Sequence, residues 1–274
     1  MTLSREFTDL PLAHRGLHDS SRGCPENSRS AVLAALGSGY GIEVDVQISG
    51  DGEAFVFHDQ DLSRLTGRAG LISEASADSL AETRLLHSNE TIPRLSDILD
   101  LVAGRAPILI EIKDVDEMFN PIDGKLESAV CDQVMRYSGP VALMSFHPES
   151  VARCASLAPD VPRGLVTGSF RGEDWPGVFE HRLAELRSLS SLDSTGASFV
   201  SHEWQDLESG NLGPARHRGI DILCWTVRSP DEEAVARRDA VNITFEGFLP
   251  EILRNGRQRT DCMASRNPSR EGPV

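Results

Sequence analysis

The chain has 274 residues, a formal net charge of −15 at pH 7 and 39% hydrophobic residues. This length suits a single large α/β domain with a sizeable core. The strong negative charge argues against a general nucleic-acid-binding or anionic-membrane-binding surface. No run approaches the ~20 apolar residues of a membrane span, and the N-terminal residues lack the apolar core of a signal peptide, which predicts a cytoplasmic protein without stable membrane insertion.

Short apolar runs alternate with helical segments along most of the chain, which is typical of repeated βα units around a parallel sheet. Eight runs are predicted strands: Leu10–His14, Gly41–Ile48, Ala106–Lys113, Val141–Phe146, Arg163–Thr167, Ala197–His202, Ile222–Val227 and Val241–Phe245. Helical composition marks Ser28–Gly37, Lys125–Tyr137, Glu149–Leu157, Phe179–Leu189, Leu207–His217, Asp231–Arg238 and Leu249–Arg254. Eight strands with helical crossovers predict an α/β fold, a closed (β/α)8 TIM barrel.

The segment after the second predicted strand breaks this alternation. A ninth strand-like run, Glu53–Asp59, comes first, and the residues from Leu62 to Ser96 have the composition of loops and short helices. We interpret residues 50–95 as a small insertion after strand 2, in which Glu53–Asp59 forms a hairpin with that strand. The predicted barrel domain covers residues 8–255. The tail 256–274 is polar and poor in large apolar residues, which predicts disorder.

Carboxylates occupy unusual places in the second predicted strand. Glu43 and Asp45 are two residues apart, so their side chains point to the same face of the strand. Two adjacent anions on a packed element repel each other and need a compensating cation. Hard carboxylate oxygens favour one divalent cation, Mg²⁺ or Ca²⁺, over softer metals. Lys113 or Arg15 would supply further positive charge.

Ionisable residues also end the neighbouring predicted strands. Glu111 and Lys113 end the third strand, and His14 and Arg15 end the first. Because the active sites of barrels form at the carboxyl ends of the strands, these groups are expected at the same rim as the two carboxylates of the second strand. Three converging acids without a cation would be strongly destabilising. The predicted metal ligands are therefore Glu43, Asp45 and Glu111.

Five short motifs carry the most specific signal of the chain. They are His14-Arg15-Gly16, Pro25-Glu26-Asn27, Glu43-Val44-Asp45-Val46, Phe57-His58-Asp59 and Glu111-Ile112-Lys113. In this order they resemble the glycerophosphodiester phosphodiesterase family, and later landmarks such as Cys224-Trp225-Thr226-Val227 extend the likeness over about residues 10–250. Two departures lie in the last third: Arg228 stands where the family commonly has Asn, and Glu246 lies in a segment that lacks the family's Thr-Asp-Xaa-Pro turn.

The resemblance implies a TIM barrel that uses one divalent cation to hydrolyse glycerophosphodiesters to sn-glycerol 3-phosphate and an alcohol. Its partner would be a small-molecule phosphodiester. The resemblance also implies that His14 and His58 form an acid–base pair, with His14 as the base and His58 as the acid, an order that the sequence itself does not fix. The nucleophile is water or the glycerol 2-hydroxyl. Lysophospholipase D or another specialised phosphodiesterase is the enzymatic alternative, and a binding protein with an inactive site is the non-enzymatic one.

Three residues are expected to bind substrate. The guanidinium of Arg15 suits a phosphate contact, although an ion pair with Glu26 is the alternative. Lys113 is expected at the phosphate as well, unless it only neutralises the carboxylates. Trp225 ends a predicted strand, where its ring can pack on the glycerol carbons or belong to the core. The released alcohol is expected to project toward residues 50–95 and solvent, so different head groups should react at similar rates.

Two residues of the motifs have open roles. Asn27 is interpreted as the N-cap of the following helix. Asp59 either fixes the histidine before it or turns the chain.

The five cysteines are scattered, which predicts free thiols. Assembly into a homo-oligomer is left open.

Overall fold

The computed structural model of the chain describes residues 2–113 and 119–252, so the predicted tail 256–274 lies outside the described residues. The strands, in chain order, are β1 (Leu12–Ala13), β2 (Gly41–Ile48), β3 (Ala54–Val56), β4 (Ile108–Ile112), β5 (Val141–Ser145), β6 (Arg163–Thr167), β7 (Phe199–Glu203), β8 (Asp221–Val227) and β9 (Asn242–Phe245). The α-helices are α1 (Arg5–Asp9), α2 (Arg29–Ser38), α3 (Ser63–Thr66), α4 (Ala77–Glu82), α5 (Leu95–Val102), α6 (Lys125–Val134), α7 (Pro148–Leu157), α8 (Glu180–Arg187), α9 (Leu192–Thr195), α10 (Gly213–His217) and α11 (Pro230–Ala236).

All strands except β3 form a closed parallel barrel. They pair in chain order, and β1 closes the ring by pairing with β2 on one side and with β9 on the other. This confirms the predicted TIM barrel. β3 runs antiparallel to β2, so the predicted hairpin after strand 2 is confirmed. None of the helices in the described part of the chain is long and apolar enough to cross a membrane.

Besides α1 and α9, which lie outside every predicted helix, the helices differ from the prediction at three places. α5 was not predicted, because its eight residues follow the irregular insertion directly; it buries one apolar face that includes Leu95 and Val102. Gly210 and Gly213-Pro214 break the predicted helix Leu207–His217, which is replaced by one 3₁₀ turn (Gly210–Leu212) and α10. The described part of the predicted helix Leu249–Arg254, residues 249–252, is not helical. Pro250 explains this, since it lacks an N–H and pushes the residue before it away from helical backbone angles.

Two apolar layers hold the barrel together. Helices cover its outside, where most of the buried side chains lie. Inside, Leu109, Leu223 and Phe199 pack with Phe7 of α1, which is anchored to the first residue of β9 through a hydrogen bond between Asn242 Nδ2 and the Phe7 carbonyl (2.8 Å). α1 therefore lies at the amino-terminal end of the strands, opposite the predicted site, and the predicted domain start at residue 8 falls within it.

The insertion is a packed lobe with a small core of its own. Its buried side chains are Phe55, Phe57, Leu62, Ile72, Ala75, Ala77, Leu80, Leu85 and Ile92. Because the lobe starts where β2 ends, it lies at the carboxyl-terminal rim of the barrel. His58, which follows β3, is thus carried to the rim by the lobe and not by a barrel strand.

Candidate active site

Three carboxylates meet at the carboxyl-terminal rim. The strand register places Asp45 of β2 beside Glu111 of β4, and Glu43 lies two residues earlier on the same face of β2. One oxygen of each lies within 4.8 Å of the others, and all three residues are buried. The structure therefore brings the three predicted metal ligands together at a spacing that one cation can bridge, since Ca²⁺ and Mg²⁺ bind oxygens at about 2.0–2.6 Å.

The charges around this cluster leave one carboxylate poorly compensated. Burial, followed by repulsion from Asp45 and Glu111, raises the pKa of Glu43 well above its ordinary value. Burial acts in the same direction on Asp45, but nearby cations, with Lys113 first among them, outweigh it and lower the pKa of that group. Glu43 Oε2 accepts a hydrogen bond from the backbone N–H of Arg15 (2.9 Å), whereas the buried Oε1 has no hydrogen-bond partner among the described residues. This donor set fits a hard divalent cation.

Two positively charged side chains, Lys113 and Arg15, contact the carboxylates of the cluster. Lys113 Nζ lies 3.2 Å from Asp45 Oδ1 and 2.5 Å from Glu111 Oε1. Arg15 binds Glu26 through its NH1 (2.6 Å), and its Nε lies 3.3 Å from Asp45 Oδ2. The ion pair of Arg15 with Glu26, given above as an alternative, is therefore present. Contact of either cation with phosphate stays a prediction.

Each predicted catalytic histidine is paired with a carboxylate through the same ring atom. His14 Nδ1 lies 2.7 Å from Glu246 Oε2, and His58 Nδ1 lies 2.7 Å from Asp59 Oδ1. A carboxylate accepts the Nδ1 proton, which leaves Nε2 as the atom that can take up or release a proton. The hydrogen bond from His14 lowers the pKa of Glu246 to about 2, so that this carboxylate is ionised at neutral pH. The structure thus favours the reading in which Asp59 fixes the histidine before it.

Arg64 ties the insertion to the barrel rim. Its NH1 and NH2 donate to the two oxygens of Glu26 at 2.9 and 2.8 Å, and its Nε and NH2 donate to Asp59 at 2.5 and 2.8 Å. Burial alone would raise the pKa of Asp59, but the hydrogen bonds from His58 and Arg64 hold it below its ordinary value. A continuous chain of charges therefore fixes His58 relative to the barrel.

Asn27 has a different role from the predicted one. The N-cap of α2 is Ser28, whose hydroxyl oxygen accepts the Ala31 backbone N–H at 3.2 Å. Asn27 Nδ2 instead donates to Asp45 Oδ2 (2.9 Å), while its Oδ1 accepts the backbone N–H of Asp45 (3.2 Å). The prediction of Asn27 as an N-cap is therefore wrong. Asp45 Oδ2 accepts this hydrogen bond because a buried acceptor needs a partner.

One cavity opens beside the cluster, and a second adjoins it through the shared residues Phe146, Asp174 and Trp175. The larger, of about 800 Å³, is lined by Gln47, His58, Asp59, Gln60, Asp61, Leu71, Glu111, Ile112, Lys113, Phe146, Asp174, Trp175 and Pro176. The smaller, of about 250 Å³, is lined by Phe146, Gly168, Ser169, Phe170, Asp174, Trp175, Glu203 and Trp225. Trp225 donates its indole N–H to the Ser201 carbonyl (3.0 Å) and has its ring centroid 5.6 Å from that of Phe146. Its ring therefore forms part of a cavity wall, and a contact with glycerol stays a prediction.

Sequence reasoning missed several residues of this region. Glu246 follows the last barrel strand directly, a position at the active rim that could have indicated it. Arg64 lies in the insertion, where composition suggests only a loop. Asp174 and Trp175 lie in a segment rich in glycine and charged residues between β6 and α8, and nothing in their spacing indicates a cavity.

A closed parallel barrel with ionisable groups gathered at the carboxyl ends of its strands has the features of a TIM-barrel enzyme. Residues 14–244 match the family model described as "Glycerophosphoryl diester phosphodiesterase family". Since this match covers most of the chain, the protein belongs to that family.

Individual relatives agree with this assignment. The chain is 32% identical over 164 residues to a protein of Bacillus altitudinis named glycerophosphodiester phosphodiesterase; the match covers 57% of this chain and 65%, just under two thirds, of that relative. A protein of the same name from Caldanaerobacter subterraneus subsp. tengcongensis is 28% identical over 255 residues, covering 90% of this chain and 96% of the relative. The fold resembles an Oleispira antarctica phosphodiesterase solved with the product sn-glycerol-3-phosphate, with a TM-score of 0.70, 21% identity and coverage of 88% and 94%.

Proposed function

We propose that this protein hydrolyses glycerophosphodiesters to sn-glycerol 3-phosphate and an alcohol. The observation that carries the proposal is the buried cluster of Glu43, Asp45 and Glu111 at the same rim as two histidines whose Nδ1 atoms are held by carboxylates. The names of the Bacillus and Caldanaerobacter relatives and the product bound to the Oleispira enzyme support the same substrate class.

A phosphodiester needs three kinds of help: compensation of its anionic oxygens, a base for the nucleophile and an acid for the leaving oxygen. Nε2 of His14 accepts the proton of the nucleophile, which is water or the glycerol 2-hydroxyl, as the new P–O bond forms. His58 donates a proton to the alcohol oxygen as the old P–O bond breaks. With the 2-hydroxyl as the nucleophile, this step gives a cyclic phosphate, and a water molecule then opens the ring to give glycerol 3-phosphate. Arg15 and Lys113 balance charge on the phosphate. One divalent cation, Mg²⁺ or Ca²⁺, bound by the three carboxylates would supply Lewis-acid stabilisation of that charge.

A substrate panel with and without chelator tests this function. Glycerophosphodiesters with different head groups are incubated with the protein, and sn-glycerol 3-phosphate is measured as the product. We expect release of this product, its loss in excess EDTA, and its recovery when Mg²⁺ or Ca²⁺ is added back. Full activity in excess chelator would contradict the metal requirement, and release of choline from lysophosphatidylcholine alone would favour a lysophospholipase D.

Replacement of Glu246 by glutamine tests how His14 is oriented. A glutamine amide can present either its oxygen or its N–H to Nδ1, so part of the population carries the proton on the wrong ring nitrogen. We expect the turnover number to fall by at least about tenfold, and the pH–rate profile to shift on its acidic or its basic side.

The same hydrogen bond also affects the stability of the protein. The pKa of Glu246 is about 2 in the folded protein, below its ordinary value of 4.5. The pair of His14 and Glu246 therefore stabilises the fold above about pH 4.5, and this stabilisation is lost as the pH falls toward 2.

Arg228 provides the matched control for this variant. Its Nε lies 3.6 Å from Glu246 Oε1, and its side chain is half exposed, so the ion pair is weak. Arg228→Gln should change turnover less than about threefold. A Glu246→Gln enzyme with unchanged turnover and an unchanged pH profile would show that Glu246 does not orient the base.

A further inference from the structure

The larger cavity lies on the side of the site that His58 occupies. It is bounded by His58, by Asp61 and Leu71 of the insertion, and by Asp174 and Trp175 of the segment between β6 and α8. In the proposed reaction His58 protonates the departing alcohol, so the alcohol must lie beside His58 and therefore within this cavity. The inference below rests on the proposed function in this respect.

One wall of the cavity is aromatic. The ring centroid of Phe146 lies 5.6 Å from that of Trp175. Phe119 and Phe170 also pack against Trp175, at centroid distances of 5.0 and 5.5 Å. The faces of such rings attract cations, and since Lys113 Nζ already lies 5.9 Å from the ring centroid of Phe146, Trp175 is the ring of this wall that can receive a ligand cation. The wall is therefore suited to a positively charged group.

The ionisable lining of the same cavity is mostly negative. Its carboxylates are Asp59, Asp61, Glu111 and Asp174. Among the described residues that line the cavity, Lys113 is the single lysine or arginine. Lys113 is paired with Glu111, and Asp59 is paired with His58 and Arg64. Asp61 and Asp174 form no ion pair within the described ranges, so their charges are available to a ligand.

We propose that this cavity selects diesters whose alcohol carries a positively charged nitrogen, as choline and ethanolamine do. Trp175 would contact the ammonium group, and Asp174 would supply the opposing charge. Glycerol and inositol head groups carry no positive charge that could interact with Trp175 and Asp174. A head group with a carboxylate would be repelled by Asp174. We therefore expect a preference based on charge in place of similar rates for all head groups, and the measured rates decide between the two.

Two diesters of the same shape test the proposal on the full chain. One is glycerophosphocholine, and the other carries 3,3-dimethylbutanol, in which a carbon replaces the ammonium nitrogen. We expect kcat/KM to be at least about tenfold higher for the choline diester, mainly through a lower KM, because a cation over an aromatic face contributes on this scale. The preference should shrink at high salt, which screens the carboxylates.

Variants of Trp175 and Asp174 test whether these residues cause the preference for the choline diester. Trp175→Leu and Asp174→Asn should each lower kcat/KM for the choline diester much more than for its carbon analogue, so that the ratio approaches one. Trp175→Phe keeps an aromatic face and should keep most of the ratio. Asp100→Asn removes an equal charge from an exposed position on α5 and should leave both rates unchanged.

The outcomes separate this proposal from the proposed function. Equal kcat/KM for the two diesters in the unmodified protein would overturn the charge preference, and so would an equal loss for both in Asp174→Asn. Release of glycerol 3-phosphate from neither diester would contradict the proposed function. In that case tryptophan fluorescence titrated with choline and with 3,3-dimethylbutanol tests the cavity directly, and equal responses to the two probes would overturn the proposal.

Discussion

Replacing Glu43 by glutamine should abolish turnover and, at the same time, raise the melting temperature of the metal-free protein. Asp45 and Glu111 are each paired with Lys113, whereas Glu43 forms no ion pair within the described part of the chain. It is therefore a buried anion beside two others, and an amide of the same shape removes both its desolvation cost and the repulsion. The backbone N–H of Arg15 can still donate to the amide oxygen.

The stability gain from Glu43→Gln should grow with pH. The raised pKa of Glu43 means that its ionised form is disfavoured in the fold, so the cost appears as the pH rises above its ordinary value of 4.5. Mg²⁺ or Ca²⁺ should raise the melting temperature of the unmodified protein, because a ligand of the folded state stabilises it, and should no longer do so in the variant.

Thermal melting with EDTA and with each cation, measured at several pH values, gives all these quantities. Glu82→Gln, an exposed change on α4, serves as the control for a lost carboxylate. A lower melting temperature of metal-free Glu43→Gln would contradict the interpretation of Glu43 as an uncompensated buried anion. An undiminished response of the variant to both cations would contradict the assignment of Glu43 as a metal ligand.

Replacement of either predicted catalytic histidine by alanine should lower turnover by at least ~100-fold, the usual scale for a positioned proton-transfer group. The two variants should differ in their response to the leaving group. The p-nitrophenyl diester of glycerol 3-phosphate releases p-nitrophenolate, which needs no proton. His58→Ala should therefore recover most of its rate with this substrate, while His14→Ala should not, because the nucleophile still needs a base.

This comparison assigns the acid and the base separately. His217→Ala, at an exposed position on α10, controls for the loss of a histidine and should retain full activity. Recovery of His14→Ala in place of His58→Ala would reverse the two roles. A variant whose melting temperature falls while its rate holds would show that its histidine is structural.

The sequence predicts the part of the site that follows from local periodicity. Glu43 and Asp45 share a face because residues two apart in a strand do so, and Glu111 joins them because neighbouring strands of a parallel barrel end at one rim. The register that sets Asp45 directly beside Glu111 confirms this reasoning. Short local patterns were therefore sufficient for the acidic cluster and for the barrel.

The remaining parts depend on contacts between distant segments, which periodicity does not report. The hydrogen bond of His14 with Glu246 joins residues 232 positions apart, and Arg64 reaches Glu26 from the insertion. Asn27 resembles an N-cap by composition, yet its side chain is drawn to a carboxylate that only the folded barrel brings near it. Trp175 becomes a cavity wall through packing by aromatic residues of other loops.

The His14–Glu246 hydrogen bond spans the seam at which the barrel closes, since His14 follows β1, Glu246 follows β9, and these two strands pair with each other. During synthesis on a ribosome, the segments that carry all three clustered carboxylates emerge first, and the partner of His14 emerges more than a hundred residues after Glu111. The base of a growing chain therefore lacks its orienting partner until the last barrel strand has been made. Full activity would require this strand to dock against the first, so its appearance would report on the closure of the barrel.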